Sequence, residues 1–147
     1  MKKLFIIVFS MSFILFSCST TSSTIAPDAD FSKYIFAAIG SDLDGGAAIY
    51  DCQIQLQNSL ISSGYKIIGD TRIGTLSLDD QKKVLVLTMG LTSTVDKSVC
   101  VINITDHMTG YILASCKGVY GLGWDMEDDQ RHAITNAITQ MESVIRK

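Results

Sequence analysis

The sequence predicts an α+β fold, a two-layer sandwich in which a mixed, mainly antiparallel sheet of about five strands carries two helices on one face. Two segments, around residues 47–63 and 125–147, repeat apolar residues at the three-and-four spacing of a helix. Short apolar or β-branched runs bounded by glycine and polar turns precede, separate and follow the first of them. The resulting order, β-α-β-β-β-β-α, is typical of helices packed on one face of a sheet.

The N-terminal residues have the layout of a secretory signal peptide. A basic start is followed by the apolar run Leu4–Phe16, by Ser17 and by Cys18. The run is shorter than the roughly 20 residues that a membrane-spanning helix needs. It resembles the lipobox of bacterial lipoproteins, although Phe16 is larger than the residue usual there. The resemblance implies removal of residues 1–17 and acylation of Cys18; an ordinary cleaved signal peptide and an uncleaved anchor are the alternatives.

Residues 18–30 are mostly serine, threonine, alanine and aspartate, and we expect them to form a flexible tether to a single domain over residues 31–147. Loss of Lys2 and Lys3 with the signal peptide lowers the basic residues from 12 to 10 against 15 acidic ones, a formal charge of −5. This balance, without a basic cluster, argues against nucleic acid or anionic lipid headgroups as a partner.

The first half of the domain is predicted as strand, helix, strand. Residues 33–39 have strand composition, and a helix over 47–63 is expected to be capped by Asp44 and ended by Gly64. Residues 65–70 are predicted to form the second strand. The pattern supports no assignment over 71–81.

Three antiparallel strands follow, over residues 83–91, 98–105 and 111–117, the last two joined by the turn "DHMTG". With Asp106–Gly110 as a five-residue loop, Cys100 faces Cys116 and Ile104 faces Ile112 on a wholly apolar side. The opposite side is mixed, and we expect it to be partly exposed. It carries Val99, Val101, Asn103, Thr105, Tyr111, Leu113, Ser115 and Lys117.

A directly opposed cysteine pair would form a strained bridge, so free, buried thiols are expected at Cys52, Cys100 and Cys116. The final helix is expected to bury the stripe from Ile134 to Ile145, with acidic residues at its start and Arg146 near its end.

No convergent set of catalytic residues is visible. Ser63 and Lys66 match S-x-x-K, but the serine ends a helix, and the partner patterns are missing. The acidic group from Asp125 to Asp129 lacks the spacing of a calcium loop, and His107 and His132 have no partner at ligand spacing. We therefore predict no catalytic residue, no metal site and no cofactor.

The aromatic residues near the last strand are the candidate binding surface. Together with Tyr34 and Tyr65, the candidate residues Tyr111, Tyr120 and Trp124 could line an aromatic patch for a protein or a glycan, although packing at the edge of the core is the simpler interpretation. Trp124 follows the glycines of "GVYGLGW", which are expected to permit a twisted or bulged strand end.

The stretches "DFSKY" at Asp30–Tyr34, "DHMTGYILAS" at Asp106–Ser115, "GVYGLGW" and "AITNAITQM" together resemble an uncharacterised family of bacterial envelope lipoproteins. More distantly, they are similar to the periplasmic domain of the curli-secretion lipoprotein. The resemblance implies a small periplasmic domain and transfers no catalytic residue. The pore-forming insertions of the curli-secretion protein are missing, so channel activity is not implied.

The predicted function is that of a non-enzymatic assembly or protein-interaction module with an unidentified envelope partner. Cys18 would hold it on the outer membrane, facing the periplasm. A domain that binds a small ligand or a glycan is the alternative, and an enzyme assembled from distant loops is a third possibility.

Overall fold

The computed structural model describes residues 20–40, 47–121 and 125–146. It confirms the predicted class: a mixed sheet with the two long helices packed on one face. Within the described residues the sheet has six strands, one more than predicted. The strands are β1 (Thr20–Ile25), β2 (Phe36–Ile39), β3 (Lys66–Gly69), β4 (Val84–Ser93), β5 (Ser98–Asp106) and β6 (Ile112–Tyr120). The helices are α1 (Ala47–Ser62), the short α2 (Leu78–Gln81) and α3 (Met126–Ile145).

The strands lie in the order β1-β6-β5-β4-β2-β3. β2 pairs in parallel with β3 and β4, and the remaining neighbours are antiparallel. The parallel pair needs a crossover, which α1 supplies between β2 and β3. α1 ends just before Gly64, whose φ of 88° is a conformation that glycine adopts without steric cost. The predicted cap at Asp44 lies outside the described residues.

The additional strand corrects the prediction of a flexible tether over residues 18–30. Thr20–Ile25 pairs antiparallel with β6, from Thr20 opposite Val119 to Ile25 opposite Ala114. All six residues of β1 are exposed, so the strand is held by its backbone hydrogen bonds rather than by apolar burial. A segment whose side chains all stay exposed can therefore still form an edge strand.

The predicted register of the β5–β6 hairpin is also corrected. Ile102, rather than Cys100, lies opposite Cys116, and Ile104 lies opposite Ala114. Leu113 is an extra residue between the pairs Ile104–Ala114 and Thr105–Ile112, which makes a β-bulge. The bulge buries Leu113 and leaves Ile112 exposed, the reverse of the expected arrangement.

The main core lies between the sheet and the two long helices. It includes Leu56 and Leu60 of α1, Leu85 and Leu87 of β4, Cys100, Ile102 and Ile104 of β5, and Ile134, Ile138, Met141 and Ile145 of α3. α3 approaches β6 closely at Gly118, where an added Cβ would collide with the backbone of Ala133 and Ala137. Glycine is thus the residue that this helix-to-sheet contact requires.

The segment without a sequence assignment covers part of the other face of the sheet. Residues Asp70–Thr75 form a 3₁₀ helix, and α2 follows it. Ile73 and Leu76 pack against Ala38 and Val84, which point away from the main core. This second cluster covers β2, β3 and the start of β4, and no other described residues cover the rest of that face.

Candidate functional site

The structure separates Tyr111 and Tyr120, two of the three aromatic residues predicted as a binding surface. Cys18 and Trp124 lie outside the described residues. Tyr111 precedes β6 and Tyr120 ends it, so a strand of about 30 Å lies between them. The two tyrosines therefore do not form one continuous patch.

Tyr120 packs towards the helical layer. Its ring stacks on that of His132 of α3, with ring centroids 4.4 Å apart and planes inclined by 25°. Half of the His132 side chain remains exposed, and it lies 3.7 Å from the carboxylate of Asp128. These contacts fix the first turns of α3 against the end of β6.

Tyr111 lies beside a shallow cleft of about 440 Å³ at the opposite end of the sheet. Asp28, Lys33, Asp106 and Thr109 contribute to its lining. Tyr111 is 52% exposed, so its ring is available at the rim of this cleft. The cleft therefore combines one aromatic ring with charges of both signs.

Asp106 is the buried polar centre beneath this cleft. The hydroxyl of Tyr34 donates to its Oδ2 at 2.6 Å, and the amide of Thr109 donates to its Oδ1 at 2.9 Å. The ammonium of Lys33 lies 3.9 Å from Oδ2. Burial alone would raise the pKa of Asp106, but the hydrogen bonds and the nearby cation outweigh it and lower the pKa.

The same contact keeps Tyr34 protonated. Burial and the neighbouring Asp106 carboxylate raise the pKa of Tyr34 well above its ordinary value. Asp30 accepts from the amide and hydroxyl of Ser32 and begins the short 3₁₀ turn Phe31–Lys33. The "DFSKY" and "DHMTG" stretches thus meet in space, and their polar residues tie the start of β2 to the β5–β6 turn.

The uncovered part of the sheet, which we call the open face, is formed by β1, β6, β5 and the end of β4. It carries Thr20, Ser22 and Thr24 of β1, Ser115, Lys117 and Val119 of β6, Val99, Val101, Asn103 and Thr105 of β5, and Thr88, Gly90 and Thr92 of β4. The β5 and β6 members confirm the predicted mixed face, except that Leu113 is buried and Tyr111 lies before the strand.

Three half-buried valines form the apolar centre of the open face. Val119 lies opposite Val99, and Val101 is the next residue of β5 on the same side. Hydroxyl-bearing side chains border them on β1 and β4, and Ser115 donates to Asn103 at 2.8 Å. Among the described residues of this face, Lys117 is the single charge, and none is aromatic.

The three thiols are poor candidates for a nucleophile or a metal ligand. Cys52, Cys100 and Cys116 are free and buried in the described chain. Burial raises the pKa of Cys52 and of Cys100 to about 12 and that of Cys116 to about 11. The neutral thiol is therefore the form present at physiological pH, and it is a poor nucleophile and metal ligand.

The acidic residues near the start of α3 have a structural role. Asp125 accepts from the amide of Glu127 at 3.1 Å and caps the helix, and acids in the first turn suit its dipole. In residues 20–40, 47–121 and 125–146, no group of three or more His, Cys, Asp or Glu side chains is arranged to hold a metal ion. Over the same residues, no helix is both long enough and apolar enough to cross a bilayer.

Sequence reasoning missed two features of these surfaces. The β1 contribution to the open face was hidden because exposed serines and threonines carry no periodic pattern. The contact between Tyr34 and Asp106 joins residues 72 positions apart. The sequence indicates Asp106 in a turn and Tyr34 before a strand, but their hydrogen bond depends on the tertiary fold.

Comparison with models of protein families finds no match, and comparison with curated proteins finds none either. Solved structures do resemble the chain. A DUF4136 family protein from Bacteroides thetaiotaomicron has a TM-score of 0.54 at 7% identity over 86% of this chain and 95% of that one. A PDZ domain protein from Parabacteroides distasonis has a TM-score of 0.54 at 12% identity over 93% of this chain and 39% of the other.

The chain also resembles the PelC dodecamer from Paraburkholderia phytofirmans, with a TM-score of 0.47 at 14% identity over 84% of this chain and 97% of that one. At such low identities the two likenesses with TM-scores of 0.54 show a shared fold and nothing about activity. The resemblance to envelope lipoproteins drawn from the sequence stays a prediction.

Proposed function

We propose that this protein is a lipid-anchored bacterial envelope lipoprotein whose domain is a non-enzymatic protein-interaction module. It would be attached through Cys18 to the outer membrane and would face the periplasm. Support for the anchor is the sequence "ILFSCSTTSS", in which an apolar run and a small residue precede the cysteine. Two acyl groups or more at one residue are enough for stable attachment.

The open face is the observation that supports an interaction module. It is neutral apart from Lys117, and half-buried Val99, Val101 and Val119 lie at its centre with hydroxyl groups around them. An apolar centre with a polar border is the usual composition of a protein–protein interface. The absence of aromatic rings from the described residues of this face makes it a poor surface for stacking on sugar rings.

Photo-crosslinking in native membranes tests this role. A photoreactive amino acid at Val101 should give one discrete adduct, identifiable by mass spectrometry, whereas the same group at Thr135, exposed on α3, should give none. A second variant, Val101→Lys, places a like charge opposite Lys117 and should abolish crosslinking from a photoreactive group at Thr92. Equal adducts from Val101 and Thr135, or an adduct unaffected by Val101→Lys, would contradict the proposal.

The anchor is tested separately by intact mass spectrometry of the membrane-extracted protein. The proposal expects a chain that begins at Cys18 and carries acyl groups, and a Cys18→Ser variant that is neither cleaved there nor acylated. An unmodified N-terminus at another residue would remove the anchor and the proposed location together.

Binding of a small ligand is the second candidate, and the cleft beside Tyr111 is the feature that favours it. Its lining by Asp28, Lys33 and Asp106 suits a ligand that carries both charges, such as a peptide with free termini. Titration with cell-wall peptides, followed by NMR shifts of the Thr109 and Tyr111 amides, tests this alternative. Tyr111→Ala should reduce the shift of the Thr109 amide. A spectrum that stays unchanged with every peptide would exclude ligand binding in the cleft.

A further inference from the structure

The position of β1 determines which end of the domain lies nearest to Cys18. One residue, Ser19, separates Cys18 from Thr20, and the two steps along the chain span at most about 7 Å. Thr20 is paired with Val119, and the neighbouring pair is Tyr120 with Ser98. The ends of β1, β6 and β5 are therefore next to one another, within about 10 Å, at one end of the sheet.

This end, which we call the anchor end, also contains the β4–β5 turn. The turn is closed by hydrogen bonds between Thr94 and Lys97 and lies beyond the Ser93–Ser98 pair. The chain leaving β6 packs against it, since a Cβ at Gly121 would collide with Asp96 and Lys97. The anchor end is thus a closely packed tip.

The first turns of α3 lie at the same end. Gln130 of α3 donates to the hydroxyl of Ser93 at 3.0 Å, and that hydroxyl is 3.0 Å from the hydroxyl of Ser98. Met126, at the start of the helix, is 55% exposed. The opposite end of the sheet, with the Asp106–Gly110 turn, is about 30 Å away along β5.

Val95 is the most prominent apolar side chain of the anchor end. It lies in the β4–β5 turn and is 96% exposed, which is more than any other large apolar residue in the described chain. An apolar residue at the tip of a tight turn makes almost no contact within its own domain. A lipid surface within a few ångströms of the turn would remove Val95 and Met126 from water.

We propose that the domain stands upright on the bilayer, with its anchor end in contact with the headgroup region and Val95 inserted among the lipids. This rests on the proposed acylation of Cys18. Asp96, Asp125, Glu127 and Asp128 at the same end outnumber Lys97 and Arg131, so a zwitterionic phospholipid surface is the partner that this end fits, and anionic headgroups would repel it. The open face then stands roughly perpendicular to the membrane and stays accessible to a protein partner.

Fluorescence quenching in vesicles tests the orientation. Single-cysteine positions are introduced in the acylated chain by Val95→Cys, Thr92→Cys, Thr88→Cys and Met108→Cys, and each is labelled with the same fluorophore. All four residues are exposed, and the native thiols are buried. The proteins are bound to phosphatidylcholine vesicles that contain headgroup-nitroxide lipids. Met108, in the β5–β6 turn, is the matched apolar control at the far end.

The expected result is a graded loss of fluorescence, strongest at residue 95, weaker at 92 and 88, and negligible at 108. Equal quenching at 95, 92 and 88 would mean that the sheet lies flat, and it would overturn the upright orientation. Quenching at residue 95 in a chain that begins at Ser19, and so has neither the signal peptide nor acyl groups, would assign the membrane contact to the label and would also overturn the orientation.

Vesicle flotation and intact mass distinguish this inference from the proposed function. Acylated protein that floats with vesicles but shows no gradient refutes the orientation and leaves the anchor intact. Protein without acyl groups that fails to float refutes both. Replacing part of the phosphatidylcholine by phosphatidylglycerol should weaken quenching at residue 95, and a stronger signal there would contradict the assigned lipid class.

Discussion

The contact between Gly118 and α3 allows a sharp test of the packing between the two layers. A Cβ at residue 118 would overlap the carbonyl oxygen of Ala133, the amide nitrogen of Ala137 and the Cβ of Asn136. Two of these atoms are backbone, so no side-chain rotation relieves the overlap. Gly118→Ala therefore requires α3 to move away from β6.

The loss of stability caused by Gly118→Ala depends on how much α3 contributes to the core. Overpacking by added carbons costs about 1–3 kcal/mol, and a gap of 0.5–1 Å forfeits a quarter to a half of a contact's dispersion energy. Because α3 buries seven of its residues, we expect Gly118→Ala to lower the free energy of unfolding by the upper end of this range, about 3 kcal/mol. For a domain of this size that corresponds to a fall in Tm of about 12 °C.

Gly90→Ala is the matched control. Gly90 lies in β4, and a Cβ there would meet nothing within 4 Å. Because glycine inside a strand is about 0.5–1 kcal/mol less favourable than alanine, this variant should be unchanged or slightly more stable. Urea unfolding followed by circular dichroism, on a chain that begins at residue 19, measures the free energy of unfolding of both variants. A loss at Gly118→Ala of less than about 1 kcal/mol, or equal to that at Gly90→Ala, would refute the close approach.

The remaining predictions concern the polar centre, the thiols and the edge strand. Tyr34→Phe should reduce the free energy of unfolding by about 1.5–3 kcal/mol at pH 7, since it removes a hydrogen bond to a buried carboxylate. The folded-state pKa of Asp106 is depressed, so its contribution is present above the unfolded pKa and is lost as the pH falls through the folded value; the difference between wild type and variant should therefore shrink below about pH 4 in urea titrations. A thiol reagent should modify no described cysteine in the native protein at pH 8 and all three in denaturant, and rapid native labelling would contradict their burial. Backbone amides of β1 should exchange with deuterium faster than those of β5, which is paired on both sides, and equal protection would show that β1 opens only with the whole domain.

The sequence predicted those elements whose formation depends on apolar burial. The helices α1 and α3 and the strands β2 to β6 were expected within three residues of most of their ends, because α1, α3 and β5 alternate apolar and polar residues with the period of the structure that they adopt. The hairpin register failed for a local reason, since the bulge at Leu113 changes the pairing without changing the composition. The candidate surface was predicted in part: the β5 and β6 side of the open face was expected, whereas the candidate residues Tyr111 and Tyr120 lie at opposite ends of β6.

The one strand that the sequence did not reveal is also the strand on which the proposed orientation at the membrane depends. The side chains of Thr20–Ile25 are exposed, so the hydrogen bonds to β6 are the main interaction that opposes its detachment. A strand of this kind is the least costly part of a sheet to open. Once detached, Thr20–Ile25 would no longer hold the chain after Cys18 at the anchor end, whereas Ala26 is hydrogen-bonded to Leu113 and Ala29 packs against the main core. Under the proposed orientation, the stability of β1 would therefore decide whether the domain is held upright at the bilayer.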